Sequence, residues 1–277
     1  MARSFFTAAE VYVKFLLLVL LSLLLFACSP NPSKVALIVA SAEKSGFTPK
    51  IYPTTSFPLF ALLKKGQNAN LTVYLEGDGQ AYLNAVTPSL DPTPNYPVAF
   101  WLAKDDPSQD HILYLARPGQ YLKAGFVPVK YWTTARFSQD VLLALDQVIS
   151  QVKEELGVQK IVLVGFSGGA ALATLLAAKR QDVCYLATVA GNLNLACWLK
   201  QHNLSNLEGA LDPLNVAKDL ATLPQRHVFG LDDKVISKEC LAAFCSQINP
   251  KNLEVKFVPN FGHTSPWPKV WDYHYHP

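Results

Sequence analysis

The sequence predicts an α/β fold: a mostly parallel central sheet with helices on both faces and no large cap domain. Three observations carry this. Short apolar runs alternate with helical segments through most of the chain. The clearest run, Lys160 to Phe166, passes through Gly165-Phe-Ser-Gly-Gly169 into an alanine-rich helical segment. Asp233 and His263 each stand just beyond a later apolar run, where the C-terminal ends of parallel strands present their ligand-facing residues.

Residues 1 to 28 stand apart from the fold. Arg3 and Lys14 flank a mostly apolar start, and Phe15 to Phe26 is apolar apart from Ser22. That run is short for a bilayer span and has the layout of a secretory signal. It ends in Leu25-Phe26-Ala27-Cys28, which resembles a bacterial lipobox. The resemblance implies cleavage after Ala27, diacylation of Cys28 and acylation of the new amino terminus. A plain secretory signal and an uncleaved anchor are the alternatives. Ser29 follows, not the aspartate that signals inner-membrane retention in many such lipoproteins. The expected place is therefore a bacterial cell envelope, with the protein lipid-anchored to the outer membrane and facing the periplasm. Two or more acyl chains anchor stably where one does not. The expected layout is a signal peptide over 1–27, a lipidated tether over 28–34 and a single domain over 35–277.

The formal charge is +3, and removal of residues 1 to 27 takes away Arg3, Lys14 and Glu10 and leaves +2. With no basic run, nucleic acid is excluded as a partner. The sequence does not specify an oligomeric state. Cys184, Cys197, Cys240 and Cys245 remain after Cys28. An oxidising compartment permits disulfides among them in any of three pairings. Cys240 and Cys245 are poorly spaced for a bridge within one helix. No Cys or His pair has convincing metal-ligand spacing.

Val35 to Val39, Lys50 to Pro53 and Phe57 to Leu63 read as edge strands, and Leu71 to Leu75 as a central one. Glu76-Gly77-Asp78-Gly79 follows, where a backbone N–H at Gly77 or Asp78, with Asp78 preferred, can meet a substrate oxygen. An ordinary Gly-Asp-Gly turn is the plainer reading, and the Asp78 side chain can instead orient a neighbour. Val98 to Ala103 reads as a short helix and His111 to Ala116 as a strand. Arg117 at its end suits an anionic group or a structural salt bridge. Tyr131 and Trp132 suit a pocket wall or core packing under a loop. Val141, Leu142, Leu145, Val148, Ile149, Val152 and Leu156 recur at helical spacing, with Ser138 or Thr134 as cap and Gly157 as stop. Strands are expected over Cys184 to Ala190, Arg226 to Gly230 and Leu253 to Val258. A short helix over Leu195 to His202 lies in a stretch too small for a large cap.

Ser167, Asp233 and His263 come in the order nucleophile, acid, base, each at a strand's C-terminal end. Asp233 fits the acid-bearing turn better than Asp232. Of the six histidines only His263 joins that position with a preceding glycine. The plainer reading of Ser167 is a helix N-cap in an ordinary strand-to-helix turn.

Across nearly all of its length after the signal the chain resembles the α/β-hydrolase superfamily. More narrowly it resembles a group of little-characterised bacterial α/β-hydrolase lipoproteins. The matching stretches are Tyr74-Leu-Glu-Gly-Asp-Gly, Asp91-Pro-Thr-Pro, Tyr114-Leu-Ala-Arg-Pro, Tyr131-Trp-Thr-Thr-Ala-Arg-Phe, Gly165-Phe-Ser-Gly-Gly and Thr188-Val-Ala-Gly-Asn-Leu. Relatives often carry a cysteine after the Arg-Pro. Here Gly119 stands there, so a disulfide at that point is absent. The resemblance implies a membrane-tethered serine hydrolase that cleaves a small-molecule or lipid acyl ester through an acyl-enzyme. Ser167, His263 and Asp233 would form the triad, with an oxyanion hole from the N–H groups of Gly168 and the Asp78 region. No metal or organic cofactor is required. A catalytically inactive scaffold serving envelope binding or assembly is one alternative, and a serine peptidase or amidase another.

Overall fold

A computed structural model describes residues 33–271. The expected signal peptide, Cys28 and the expected tether up to residue 32 lie outside the described residues. Contacts group the chain into residues 1–37 and 38–277. Of the first group only residues 33–37 are described, and they open the first helix.

Eight strands form one sheet in the order β1-β2-β4-β3-β5-β6-β7-β8. They are β1 (Thr48–Tyr52), β2 (Leu59–Lys64), β3 (Asn70–Leu75), β4 (His111–Leu115), β5 (Lys160–Phe166), β6 (Val183–Val189), β7 (Gln225–Gly230) and β8 (Leu253–Val258). β2 runs antiparallel to both β1 and β4, and all other pairs are parallel. Among the described residues six α-helices accompany the sheet: α1 (Lys34–Lys44), α2 (Val98–Lys104), α3 (Gln139–Leu156), α4 (Gly168–Lys179), α5 (Leu195–Gln201) and α6 (Lys238–Cys245).

The two-residue period of a strand explains the two cores. Along β5, Ile161 and Leu163 point into one cluster with α3 and α4, whereas Val162 and Val164 point into the other with α1 and α2. Both faces are covered, so the central strands β3, β5 and β6 are mostly apolar, as in parallel sheets generally. α3 buries Val141, Leu142, Leu145, Val148, Ile149 and Val152 along one stripe, and Gly157 ends it at a left-handed φ of 68°. Ser138 occupies the N-cap position, but its hydroxyl makes no capping bond. α4 is buried on all sides from Gly168 to Ala177, which is why alanine dominates it.

The first expected edge strand is corrected. Val35 to Val39 lies in α1, which buries Ile38 and Ala42 four residues apart on one face. The stretch from 191 to 223 holds α5 and a 3-10 helix over Pro213–Leu220, with Leu195, Ala217 and Leu220 packed into the core. Cys197 and Cys240 form a disulfide between α5 and α6, their Cα atoms 5.5 Å apart, and Cys184 and Cys245 are not disulfide-bonded. Among the described residues no helix is long and apolar enough to cross a membrane.

Candidate active site

The site grows from the turn between β5 and α4. Ser167 sits there at φ 52° and ψ −120°, a conformation that costs a non-glycine residue about 1–3 kcal/mol. The surroundings over-determine it. The Ser167 N–H donates to the Val189 carbonyl at 3.0 Å, and the Ser167 carbonyl accepts from the N–H groups of Ala170 and Asn192, both at 3.1 Å. The turn is as tight as its glycines imply. A Cβ on Gly169 would stand 2.4 Å from the carbonyl oxygens of Leu75 and Glu76, and Gly165 is equally closed by the Ala170 backbone.

The Ser167 hydroxyl makes no N-cap bond, so the plainer reading does not describe this turn. Its Oγ lies 2.9 Å from His263 Nε2. His263 Nδ1 lies 2.8 Å from Asp233 Oδ2, and that carboxyl is fully shielded from solvent. The other oxygen, Asp233 Oδ1, accepts from the N–H groups of Val235 at 2.8 Å and Ile236 at 3.0 Å. Asp232 has no part in this arrangement; its N–H donates to the Phe261 carbonyl. His263 is held from behind as well. Its carbonyl accepts from the indole N–H of the fully buried Trp267 at 2.9 Å, and its ring packs on Phe166.

Gly168 and Asp78, the residues expected to supply N–H donors, line the same cleft as Ser167. Gly168 is the first residue of α4, so its N–H has no acceptor within the helix. Asp78 belongs to the turn after β3, and its carboxylate lies so close over Gly168 that a Cβ there would be 2.0 Å from Oδ1. Two arginines hold that carboxylate: Arg117 Nη1 at 3.0 Å and Arg136 Nε at 2.8 Å. Arg117 Nη2 also donates to the Arg136 carbonyl, and Arg136 Nη1 to that of Thr133. The cluster fixes the Asp78 backbone beside the serine. Gly77, the other oxyanion candidate, is corrected: its N–H donates to Glu76 Oε1 at 2.8 Å and is not free for a ligand.

Glu76 carried no signal in the sequence beyond being an acid directly after an apolar strand. It is fully buried. Burial pushes its carboxyl up to about 7, against the pull of hydrogen bonds from the N–H groups of Gly77, Ala99 and Phe100 and from the Tyr114 hydroxyl.

Three proposed pocket residues lie elsewhere. Arg117 is 2% exposed and committed to Asp78, so the salt-bridge reading holds. Trp132 is buried and donates its indole N–H to the Ser89 carbonyl. Tyr131 packs on Phe57 and hydrogen-bonds Asp140. Neither side chain lines the cleft over Ser167. The cleft over Ser167, about 540 Å³, is lined instead by Tyr82, Tyr96, Phe166, Asn192, Trp198 and Ile236, among others.

No family model matches the chain, and no curated protein does. Solved structures do resemble it. An α/β serine hydrolase homologue from Coxiella burnetii superposes with a TM-score of 0.58 at 18% identity, over 80% of this chain and 92% of that one. An esterase from Pyrococcus furiosus gives 0.58 at 15% identity, over 83% and 89%. A membrane phospholipase A described as a bacterial virulence factor gives 0.55 at 15% identity, over 91% and 92%. With its mostly parallel eight-stranded sheet and these neighbours, the chain has the α/β-hydrolase fold.

Proposed function

We propose that this protein is a serine hydrolase, tethered to the bacterial envelope, that cleaves a carboxylic ester or related acyl bond. The observation that carries this is the unbroken relay from Asp233 Oδ2 through both ring nitrogens of His263 to Ser167 Oγ, at 2.8 and 2.9 Å. In this mechanism His263 Nε2 takes the hydroxyl proton while Oγ attacks the carbonyl carbon. Asp233 holds the Nδ1–H tautomer and stabilises the imidazolium. The N–H groups of Gly168 and Asp78 receive the oxyanion, and losing one such donor typically costs about 10²–10³ in rate. The carbonyl re-forms, the leaving group takes the proton from His263, and water releases the acyl group by the same steps in reverse. The aromatic walls of the cleft suit an apolar acyl group. The anchor at Cys28 and the outer-membrane location belong to the same reading. The Cys197–Cys240 disulfide supports an oxidising compartment.

The test is labelling with a fluorophosphonate serine probe, followed by p-nitrophenyl esters of rising chain length. Wild type is expected to label and turn over. Ser167→Ala should abolish labelling, and His263→Ala should slow it at least 10³-fold without loss of folding. A well-folded wild type that neither labels nor turns over would favour the non-catalytic scaffold.

A further inference from the structure

Residues 81–89, directly after the oxyanion turn, form a small hairpin. Tyr82 pairs with Pro88, the Leu83 N–H donates to the Thr87 carbonyl and the Ser89 N–H to the Ala81 carbonyl. The Asn84 side chain closes the tip by accepting from the N–H groups of Val86 and Thr87. The base is fixed, since Ala81 is buried and Tyr82 lines the cleft. Its exposed residues include the uncharged Asn84, Ala85, Thr87 and Pro88 and large apolar side chains: Leu83 is 62% exposed, Val86 82% and, just past the base, Leu90 78%. From Gly79 to Leu90 there is no Asp, Glu, Lys, Arg or His.

Water is a poor neighbour for such a loop. A cluster of exposed large apolar side chains without a charge among them marks a contact surface. Its shape decides between partners. A stable protein partner needs roughly 800 Å² on each side, and a narrow hairpin carrying Leu83 and Val86, with Leu90 just past its base, supplies a small part of that. A bilayer needs only a few apolar side chains that reach past the headgroups, with aromatics such as Tyr82 and Tyr96 at the boundary. The tether points the same way: on the proposed anchor, seven residues span at most about 25 Å, so the domain works against the membrane surface.

We infer that the hairpin 81–89 inserts into the bilayer and sets the mouth of the Ser167 cleft on it, so that the substrate is an acyl lipid presented by the membrane. The inference rests on the hydrolase reading for its substrate class but not for the insertion. Acyl chains then enter beside Tyr82 without crossing bulk water.

The full chain, reconstituted in phosphatidylcholine–phosphatidylglycerol vesicles, tests both parts. Val86→Trp adds an indole at the tip. Ile51→Trp adds one on the distant edge strand β1, at a position 60% exposed. Lipids brominated in the acyl chain are expected to quench the fluorescence added by Val86→Trp at least twofold and leave that added by Ile51→Trp unchanged. Equal quenching of both, or an indole at 86 open to acrylamide, overturns insertion. A blue shift that depends on protein concentration but not on bromolipid assigns the tip to a second copy and overturns it too. In Leu83→Asp/Val86→Asp, hydrolysis of a fluorogenic acyl lipid in the vesicles should fall at least tenfold relative to p-nitrophenyl acetate. An unchanged ratio refutes the substrate class. Serine-probe labelling of the same samples separates the two readings: labelling without quenching leaves the hydrolase and removes the insertion, and quenching without labelling does the reverse.

Discussion

Replacing Glu76 by glutamine should change how the protein's stability depends on pH. The carboxyl has no exposed surface to relieve it, and burial moves it from an ordinary 4.5 up to about 7. The folded chain therefore holds this proton more tightly than the unfolded chain, by roughly 3 kcal/mol. The sign follows. Protonated Glu76 contributes fully below about pH 4.5, its contribution declines as pH rises, and it is lost on passing through about 7. Glutamine does not titrate, and its amide oxygen can still accept the Gly77 N–H. Urea unfolding of both proteins at constant ionic strength, from pH 4 to 8, isolates the group, since every other titration is shared. The wild-type advantage over Glu76→Gln should shrink by roughly 3 kcal/mol across that range. Parallel curves, agreeing within about 1 kcal/mol at every pH, would refute the account of a strained buried acid beneath the oxyanion turn.

Two further outcomes follow from the same architecture. Asp78→Ala leaves Arg117 and Arg136 buried without their shared counter-charge, which should cost about 3–5 kcal/mol in urea unfolding; Asp78→Asn, which keeps one acceptor, should cost less. Reducing the Cys197–Cys240 bridge, whose cysteines lie 43 residues apart, should lower stability by up to about 4 kcal/mol, read as a lower Tm in dithiothreitol that a Cys197→Ala/Cys240→Ala protein does not show.

The sequence carried most of the fold because central strands buried on both faces cannot hide. Ile161 to Val164 are apolar without a break, Leu71 to Leu75 is interrupted only by Thr72, and the glycines around Ser167 mark a turn that tolerates no Cβ. Ser167, Asp233 and His263 were legible as candidates because each stands just past such a strand. Short edge segments were less legible. Val35, Ile38 and Val39 imitate a strand, and only the Ile38–Ala42 spacing, with its alanines, betrays the helix. What depends on long-range packing was not readable at all. Nothing local says that Tyr131 and Trp132 turn away from the cleft, that Arg136 reaches Asp78 across 58 residues, or that Cys197 meets Cys240. The Gly77 and Asp78 N–H groups are neighbours in one turn, and only the buried Glu76 carboxyl distinguishes them.

His263 hangs from the margin of the sheet. It follows β8, which pairs with a single neighbour, β7, and is partly or well exposed at every residue except Val258. Such a border peels away at a lower free energy than the interior strands. If β8 detaches, the Ser167 hydroxyl loses its His263 partner while β3, β5 and β6 keep their packing. On the proposed mechanism the protein then passes into a silent, still-folded population, and hydrolysis would measure the attachment of one peripheral ribbon more sensitively than a global unfolding signal does. Proteolytic nicking, or amide exchange faster at Leu253 to Val258 than in the interior strands, would report that population directly.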